Sequence, residues 1–217
     1  MKYAICQVSV APLRSEARDS SEMVSQVLFG EKLIILEELE KWTKVQLAFD
    51  GYEGWLDPKQ IVEISEEEYN KDSIEKFAIN PYNHAMENGL PMTLTIGAEV
   101  RALNESKIKI GPKCFEYFGV YTSGKKSKDQ LVEIAKAYLN VPYLWGGKSS
   151  FGIDCSGLTQ QVYKIGGYKI PRDAYQQAEM GEVLSFVEEA EPGDLAFFDN
   201  AEGRIIHVGI MCGNGMI

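Results

Sequence analysis

The sequence predicts a multidomain chain in which two small β-rich units precede one unit that mixes helices and strands. Its 217 residues are enough for two or three small domains, each with an apolar core of its own. Strand-like segments and turn signals fill residues 1–123, and helical periodicity first appears after the polar linker Ser123-Gly124-Lys125-Lys126. We therefore predict units at residues 1–62, 63–123 and 124–217.

The first unit reads as short strands joined by turns. Strands are predicted at residues 3–10, 23–27, 32–38, 42–47 and 54–56. Asp50-Gly51 is a hairpin signal, because this dipeptide adopts the backbone conformation that tight hairpins need. The pattern is typical of a small barrel of about five strands. The segments at 10–14, 30–33, 42–45 and 51–56 are similar to bacterial SH3-like domains.

The second unit begins with an acidic stretch and continues with strand-like segments. Ser65 lies three residues before Glu68, and this Ser-x-x-Glu spacing is typical of the cap of a short helical connection. The segments that follow support only a second small β-rich domain by themselves, and the resemblance implies that it is also an SH3-like barrel. His84 is predicted to lie in a loop of this unit as a structural or merely exposed residue.

Two helices are predicted in the third unit. Ser127 and Gln130 have the spacing of a capping box and precede an apolar helical stripe. The second helix begins at Cys155 and ends at Gly166-Gly167. A strand at 195–198 and a strand carrying His207 follow, so this unit is expected to be α+β.

The start of the second helix favours a reactive cysteine. The first N–H groups of a helix have no intrahelical partners and attract negative charge, so a thiol there is biased towards the reactive thiolate. Asp154 is the predicted N-cap, and its negative charge opposes thiolate formation at Cys155. The thiol therefore needs a base. A buried structural cysteine is the alternative for any lone residue of this type.

Four segments around this cysteine follow one another in a characteristic order: Tyr143-Leu144-Trp145-Gly146-Gly147, Gly152-Ile153-Asp154-Cys155-Ser156-Gly157-Leu158, Pro192-Gly193-Asp194-Leu195-Ala196-Phe197-Phe198 and His207-Val208-Gly209-Ile210. Together they resemble the NlpC/P60 family of cell-wall cysteine peptidases. The resemblance spans residues 143–210 and implies a papain-like α+β catalytic domain. We predict no metal ion and no cofactor.

His207 is the predicted general base. In an alternating strand Ile206, Val208 and Ile210 would face the core, while His207 and Gly209 would face a cleft. His207 is the one histidine of the third unit, and it falls where the family places its base. The resemblance implies a thiol–imidazole pair with Cys155, and a structural histidine is the alternative.

A third polar residue that orients the base is expected on the strand that returns after His207. The predicted turn at Gly213-Asn214-Gly215 sets that position beyond Ile217. The family places a His, Asn or Gln there. We therefore expect the catalytic domain to be C-terminally incomplete in this sequence, with a naturally shortened and impaired domain as the alternative.

The resemblance also implies a substrate and the residues that bind it. Members with upstream SH3-like domains cleave the bond between γ-D-glutamate and an L-diamino acid, usually diaminopimelate, in peptidoglycan stem peptides. Tyr143 is the expected oxyanion donor, and Asp173 is the expected partner for the free amine. Asp154 and Ser156 are expected to contact the γ-D-Glu carboxylate or the peptide backbone. Glu22 and Trp55 of the first unit are expected to line the cleft. An N-cap role for Asp154 and a turn role for Asp173 stay open.

Composition narrows the partners and the compartment. A formal net charge of −10 argues against nucleic acid and against an anionic membrane surface. The four cysteines are too scattered for a disulfide framework, which favours a reducing compartment. The first residues lack a signal-peptide pattern, so we expect a cytoplasmic protein, with the periplasm or cell envelope as the alternative if a signal was removed.

These observations lead to a function hypothesis with two competitors. The first hypothesis is an intracellular endopeptidase that recycles freed murein peptides. A non-enzymatic cell-wall-binding protein with a degenerate peptidase domain is the second. A papain-like acyl transferase or amidase is the third. The oligomeric state stays open.

Overall fold

The computed structural model describes residues 1–71, 75–81, 83–100 and 103–217. Seven strands form the first unit: β1 (Lys2–Cys6), β2 (Val10–Arg14), β3 (Met23–Leu28), β4 (Lys32–Glu38), β5 (Thr43–Leu47), β6 (Glu53–Leu56) and β7 (Ile61–Ile64). They pair antiparallel in the order β3-β2-β6-β5-β4-β1-β7, and a 3₁₀ turn at Pro58–Gln60 precedes β7. Gly51 has a φ of 77° between the paired strands β5 and β6, which confirms the predicted hairpin.

The prediction of one strand over residues 3–10 is wrong, because the chain forms β1 and β2 there. Ala4 and Cys6 are buried in β1, whereas Ala11 and Leu13 are buried in β2. The buried positions change from even to odd numbers, and a single strand cannot turn both sets to one core. The sheet also extends to Ile64 through β7, two strands more than the five predicted.

The second unit is also rich in β-strands. Its elements are α1 (Glu66–Asn70), β8 (Lys76–Ala78), β9 (Asn83–Glu87), β10 (Leu90–Leu94), β11 (Leu103–Asn104), β12 (Lys107–Ile110), β13 (Lys113–Phe118) and β14 (Tyr121–Ser123). Five strands pair in the order β10-β9-β13-β12-β11, and β8 pairs with β14. The Ser65 hydroxyl accepts from the Glu68 N–H at 3.1 Å, which confirms the predicted cap. His84 lies in β9 and not in a loop, with its ring stacked on Phe118.

The third unit carries the longer helices. Its elements are α2 (Lys128–Lys136), β15 (Lys148–Ser149), β16 (Gly152–Ile153), α3 (Cys155–Ile165), α4 (Ala174–Ala178), a 3₁₀ turn (Val187–Glu189), β17 (Leu195–Asp199) and β18 (Ile205–Ile210). The Ser127 capping box of α2 and both ends of α3 lie as predicted. Leu131, Val162 and Ile210 form a shared core of α2, α3 and β18. Among the described residues, none of the helices has both the length and the apolar character needed to span a membrane.

A buried group of four charged side chains joins the three units. Lys164 of α3 lies 2.6 Å from Glu31 of the first unit and 2.7 Å from Glu99 of the second. Lys148 of β15 lies 2.9 Å from the same oxygen of Glu31. All four side chains are at most 3% exposed. We call this group the interdomain ion cluster. It fixes α3, whose first residue is Cys155, against both β-rich units.

Candidate active site

Cys155 is the first residue of α3 and is partly exposed. Asp154 precedes it in extended conformation and accepts from the Gly157 N–H at 2.6 Å, which confirms the predicted N-cap. The other carboxylate oxygen accepts from the Gly146 N–H at 2.8 Å. Asp154 therefore links the loop at residues 143–147 to the start of α3. The Cys155 thiol lies at the N-terminal end of this helix.

Arg172 is a site residue that the sequence reasoning missed. Its guanidinium donates to the two oxygens of Asp154 at 3.0 and 2.7 Å and is only 2% exposed. It also donates to the Ser156 hydroxyl at 2.8 Å. The predicted Asp154 cap could have indicated a residue of this kind, because a carboxylate that is buried needs a cationic partner.

The surroundings of Asp154 and Ser156 bear on their predicted contacts with the substrate. Both side chains are buried, and Ser156 donates to Asp154 at 3.3 Å while accepting from Arg172. Protein donors therefore occupy both oxygens of Asp154, and a substrate carboxylate beside it would add charge of the same sign. Direct substrate contact stays a prediction for these two residues, and their geometry favours a role in positioning the helix start.

Tyr143, the predicted oxyanion donor, has Asp154 and Cys155 among its electrostatic neighbours, and its role stays a prediction. It forms a parallel bridge with Ile153, and its side chain is 68% exposed. Partial burial, then the charges of Asp154 and Cys155, raise the pKa of its hydroxyl. The phenol therefore stays protonated at neutral pH and can donate a hydrogen bond at the thiol.

His207 lies in β18 with its ring exposed, opposite Phe198 of β17. The two ring centroids are 5.6 Å apart. Val208 and Ile210 are buried as predicted, but Ile206 is 61% exposed, so the prediction of three core aliphatics is wrong for this residue. It lies near the start of β18, and the shared core with α3 is built on Ile210.

The helix that carries the thiol and the strand that carries the imidazole are neighbours. α3 packs against β18, and so does α4. Within the described part of the chain, the Cys155 thiol and the His207 imidazole share no hydrogen bond. The pairing of the Cys155 thiol with the His207 imidazole stays a prediction.

One of the two predicted cleft-wall residues contacts the loop at residues 143–147. Glu22 of the first unit accepts from the Trp145 indole N–H at 2.6 Å. Trp55 lies in β6, where it pairs with Arg14 and Lys44 of the same sheet. The structure therefore joins Glu22 to the loop beside Cys155 and gives Trp55 neighbours in its own unit. The cleft-wall role of Trp55 stays a prediction.

Asp173 immediately precedes α4 and faces the first unit. The Tyr52 hydroxyl donates to its carboxylate at 3.4 Å, a contact that sequence reasoning did not anticipate. Burial raises the pKa of the Asp173 carboxyl, although the neighbouring Arg172 opposes the rise. The predicted binding of a substrate amine by Asp173 stays a prediction, and the pairing places Tyr52 beside the same position.

Among the residues that the structure describes, no three His, Cys, Asp or Glu side chains converge in a group that could hold a metal.

Two family descriptions match parts of the chain. The NlpC/P60 family matches residues 140–217, and the bacterial dipeptidyl-peptidase Sh3 domain matches residues 13–61. The first region contains Cys155 and His207, and the second contains Glu22, Tyr52 and Trp55. Both regions agree with the resemblances found in the sequence.

Relatives extend the similarity over most of the chain. A gamma-D-glutamyl-L-lysine dipeptidyl-peptidase of Bacillus subtilis (strain 168) is 32% identical over 207 residues, which cover 88% of this chain and 70% of the relative. A protein of the same name from Bacillus cereus is 27% identical over 225 residues, covering 91% and 67%. The crystal structure of an NlpC/P60 family protein from Bacillus cereus ATCC 10987 superposes with a TM-score of 0.85 at 23% identity, over 98% of this chain and 88% of that one. This last likeness shows a shared fold.

Proposed function

The chain belongs to the NlpC/P60 family, with an N-terminal domain of the bacterial dipeptidyl-peptidase Sh3 type, and from this premise we propose that it is a cysteine endopeptidase. Its substrate would be a peptidoglycan stem peptide, cut between γ-D-glutamate and the L-diamino acid. The observation that carries the proposal is the position of Cys155 at the open N-terminus of α3, with Tyr143 beside it and β18 packed against the helix.

The mechanism follows from a thiol, a base and an oxyanion site. The His207 imidazole takes the proton of Cys155, and the thiolate attacks the carbonyl carbon of the γ-D-glutamyl amide. The Tyr143 hydroxyl and the Cys155 backbone N–H stabilise the negative oxygen of the tetrahedral intermediate. The C–N bond then breaks, the imidazolium returns its proton to the leaving amine, and water hydrolyses the thioester to regenerate the thiol.

Groups from two units support a site for a free N-terminal L-Ala. Asp173 supplies a carboxylate at the start of α4, and Glu22 supplies a second one at the catalytic loop. An ammonium group bound by either carboxylate would gain charge-assisted hydrogen bonds. The first unit would thereby limit cleavage to peptides that begin near the scissile bond, which suits released murein fragments. A role in recycling and a cytoplasmic location belong to the same proposal.

The finer architecture is also proposed. The antiparallel sheet of the first unit supports an SH3-like barrel, and the five-stranded sheet of the second supports another. The helix α3 packed on the β17–β18 pair supports a papain-like arrangement of the third unit. In this arrangement, nucleophile and base lie on different elements that meet at one edge.

Product analysis tests the proposed reaction. The full chain is incubated with L-Ala-γ-D-Glu-meso-diaminopimelate and, separately, with L-Ala-γ-D-Glu-L-Lys, and the products are identified by mass spectrometry. We expect release of the dipeptide L-Ala-γ-D-Glu, with preference for diaminopimelate, and slower cleavage when the L-Ala amine is acetylated. Binding to murein without cleavage would refute the peptidase and support the wall-binding alternative. Transfer to an added amine in place of hydrolysis would support the acyl-transfer alternative.

Tyr143→Phe tests the oxyanion site. The substitution removes one hydroxyl donor and keeps the ring, so the substrate should still bind while the intermediate loses a hydrogen bond. We expect kcat to fall by about 10²-fold or more, with little change in KM. Tyr163→Phe is the matched control, because its hydroxyl donates to the Gly193 carbonyl away from the thiol. Unchanged kcat in Tyr143→Phe would remove this residue from the mechanism.

A further inference from the structure

An acidic cap beside the nucleophile poses an electrostatic problem. Asp154 holds the start of α3, yet its negative charge disfavours a second negative charge on the adjacent Cys155. We propose that Arg172 is a positioning residue that neutralises Asp154, so that the acidic cap and the thiolate can coexist. The inference rests on the proposed function, because it concerns the reactivity of the nucleophile.

Arg172 and Asp154 form a bidentate ion pair. One guanidinium nitrogen lies 3.0 Å from one carboxylate oxygen, and a second lies 2.7 Å from the other. The same two oxygens cap the Gly157 N–H and hold the Gly146 N–H. The carboxylate therefore keeps its structural bonds while its charge is balanced within hydrogen-bond distance, in a setting where water screens little.

Further hydrogen bonds to the protein hold the guanidinium in place. Its third nitrogen donates to the Ser25 hydroxyl of β3 at 3.1 Å. The other two nitrogens donate to the Ser156 hydroxyl at 2.8 Å and to the Gly147 carbonyl at 3.5 Å. Arg172 thus links the catalytic loop, the helix start and the first unit. These protein groups hold its guanidinium in one position.

Other ionisable groups face this region from several elements. Tyr143 approaches Cys155 from the loop, His207 lies on β18, and Asp173 lies beside Arg172 with the Tyr52 hydroxyl on it. Two further carboxylates lie nearby on the first unit, at Asp50 and Glu22. Among these named groups, only arginine keeps its positive charge throughout the pH range of enzyme assays. Because several carboxylates lie in this region, we expect the positive charge of Arg172 to be important for balancing the charge of Asp154.

The pH dependence of thiol alkylation tests this inference without substrate. The parent is the full chain with Cys114→Ser and Cys212→Ser, since these two exposed thiols would otherwise react, whereas Cys6 is fully buried. The rate of iodoacetamide alkylation of Cys155 is followed by mass spectrometry from about pH 4 to 10 in the parent, Arg172→Met, Asp154→Asn and the double variant, because the thiolate is the form that reacts. Circular dichroism verifies the fold of each.

Each alkylation rate rises with pH, and we expect the midpoints of these pH–rate profiles to follow a definite order. Arg172→Met leaves Asp154 uncompensated, so the midpoint should rise by about 1 pH unit or more. Asp154→Asn keeps an N-cap but removes the negative charge, so its midpoint should fall below that of the parent. In the double variant both charges are gone, and the midpoint should return close to the parent value although the arginine is absent.

A purely structural role for Arg172 makes a different prediction. In that case the double variant would keep the raised midpoint of Arg172→Met, and the proposal would be wrong. Should Arg172→Met fail to fold, Asp154→Asn decides, because a midpoint equal to or above the parent overturns the charge argument. The peptidase proposal is tested separately from this inference. If the midpoints follow the expected order but the parent cleaves no stem peptide, only the peptidase reaction is refuted.

Discussion

Cys155→Ala is expected to lower kcat/KM for L-Ala-γ-D-Glu-diaminopimelate by about 10⁴-fold or more, because the substitution removes the atom that forms the covalent intermediate. The alanine keeps the helix start and its Asp154 cap, so the free energy of unfolding should change little. Activity is measured by release of the dipeptide, and folding by urea denaturation. The loss should appear in kcat, with substrate binding retained.

Cys114→Ser is the matched control for this prediction. Cys114 is an exposed thiol in β13, in a unit separate from α3, so its removal should leave kcat/KM within about twofold of the parent. A Cys155→Ala protein with more than a tenth of the parent activity would contradict nucleophilic catalysis by this residue. His207→Ala should cause a loss of similar size, and combining the two should add little, because both residues serve one step.

Interactions between neighbours in sequence could be predicted from the sequence. The Asp154 cap, the Ser127 capping box and the Asp50-Gly51 hairpin each depend on residues within a few positions of one another. Such signals determine local backbone geometry whatever the surrounding fold. They placed Cys155 correctly at the first position of α3, which is the central feature of the candidate site.

Contacts between distant residues could not be predicted in this way. Arg172 meets Asp154 across 18 positions, and Trp145 meets Glu22 across 123. No local pattern specifies such pairs, since they form only when distant parts of the chain pack together. The strand break after β1 was missed for a related reason, because the change of buried face is visible only once the core is known.

The interdomain ion cluster leads to the largest expected effect on stability. Lys164→Met removes one of the two cations of the cluster, so that Glu31 keeps its contact with Lys148 and Glu99 loses its contact with Lys164. Breaking a buried ion pair by removing one member costs about 3 to 5 kcal/mol. We therefore expect the free energy of unfolding, measured by urea denaturation, to fall by about that amount.

Acid should weaken the same cluster. Burial alone would raise the pKa of Glu31, but Lys148 and Lys164 overcome it and hold the pKa at about 2, below its ordinary value of 4.5. The folded chain keeps this carboxylate ionised over a range in which the unfolded chain takes up a proton. The stabilisation is therefore fully present above pH 4.5 and is lost as the pH falls towards 2. Lys164→Met should flatten this part of the stability profile.

Lys136→Met is the matched control for Lys164→Met. Lys136 of α2 lies 2.7 Å from Glu133, but the lysine side chain is 53% exposed, whereas that of Lys164 is 1% exposed. An exposed pair contributes at most about 1 kcal/mol, so the control should unfold almost like the parent. Equal losses in the two variants would contradict the cluster as the joint between the units. A larger loss in Lys164→Met, with a lower kcat in the protein that remains folded, would connect this joint to the helix that presents Cys155.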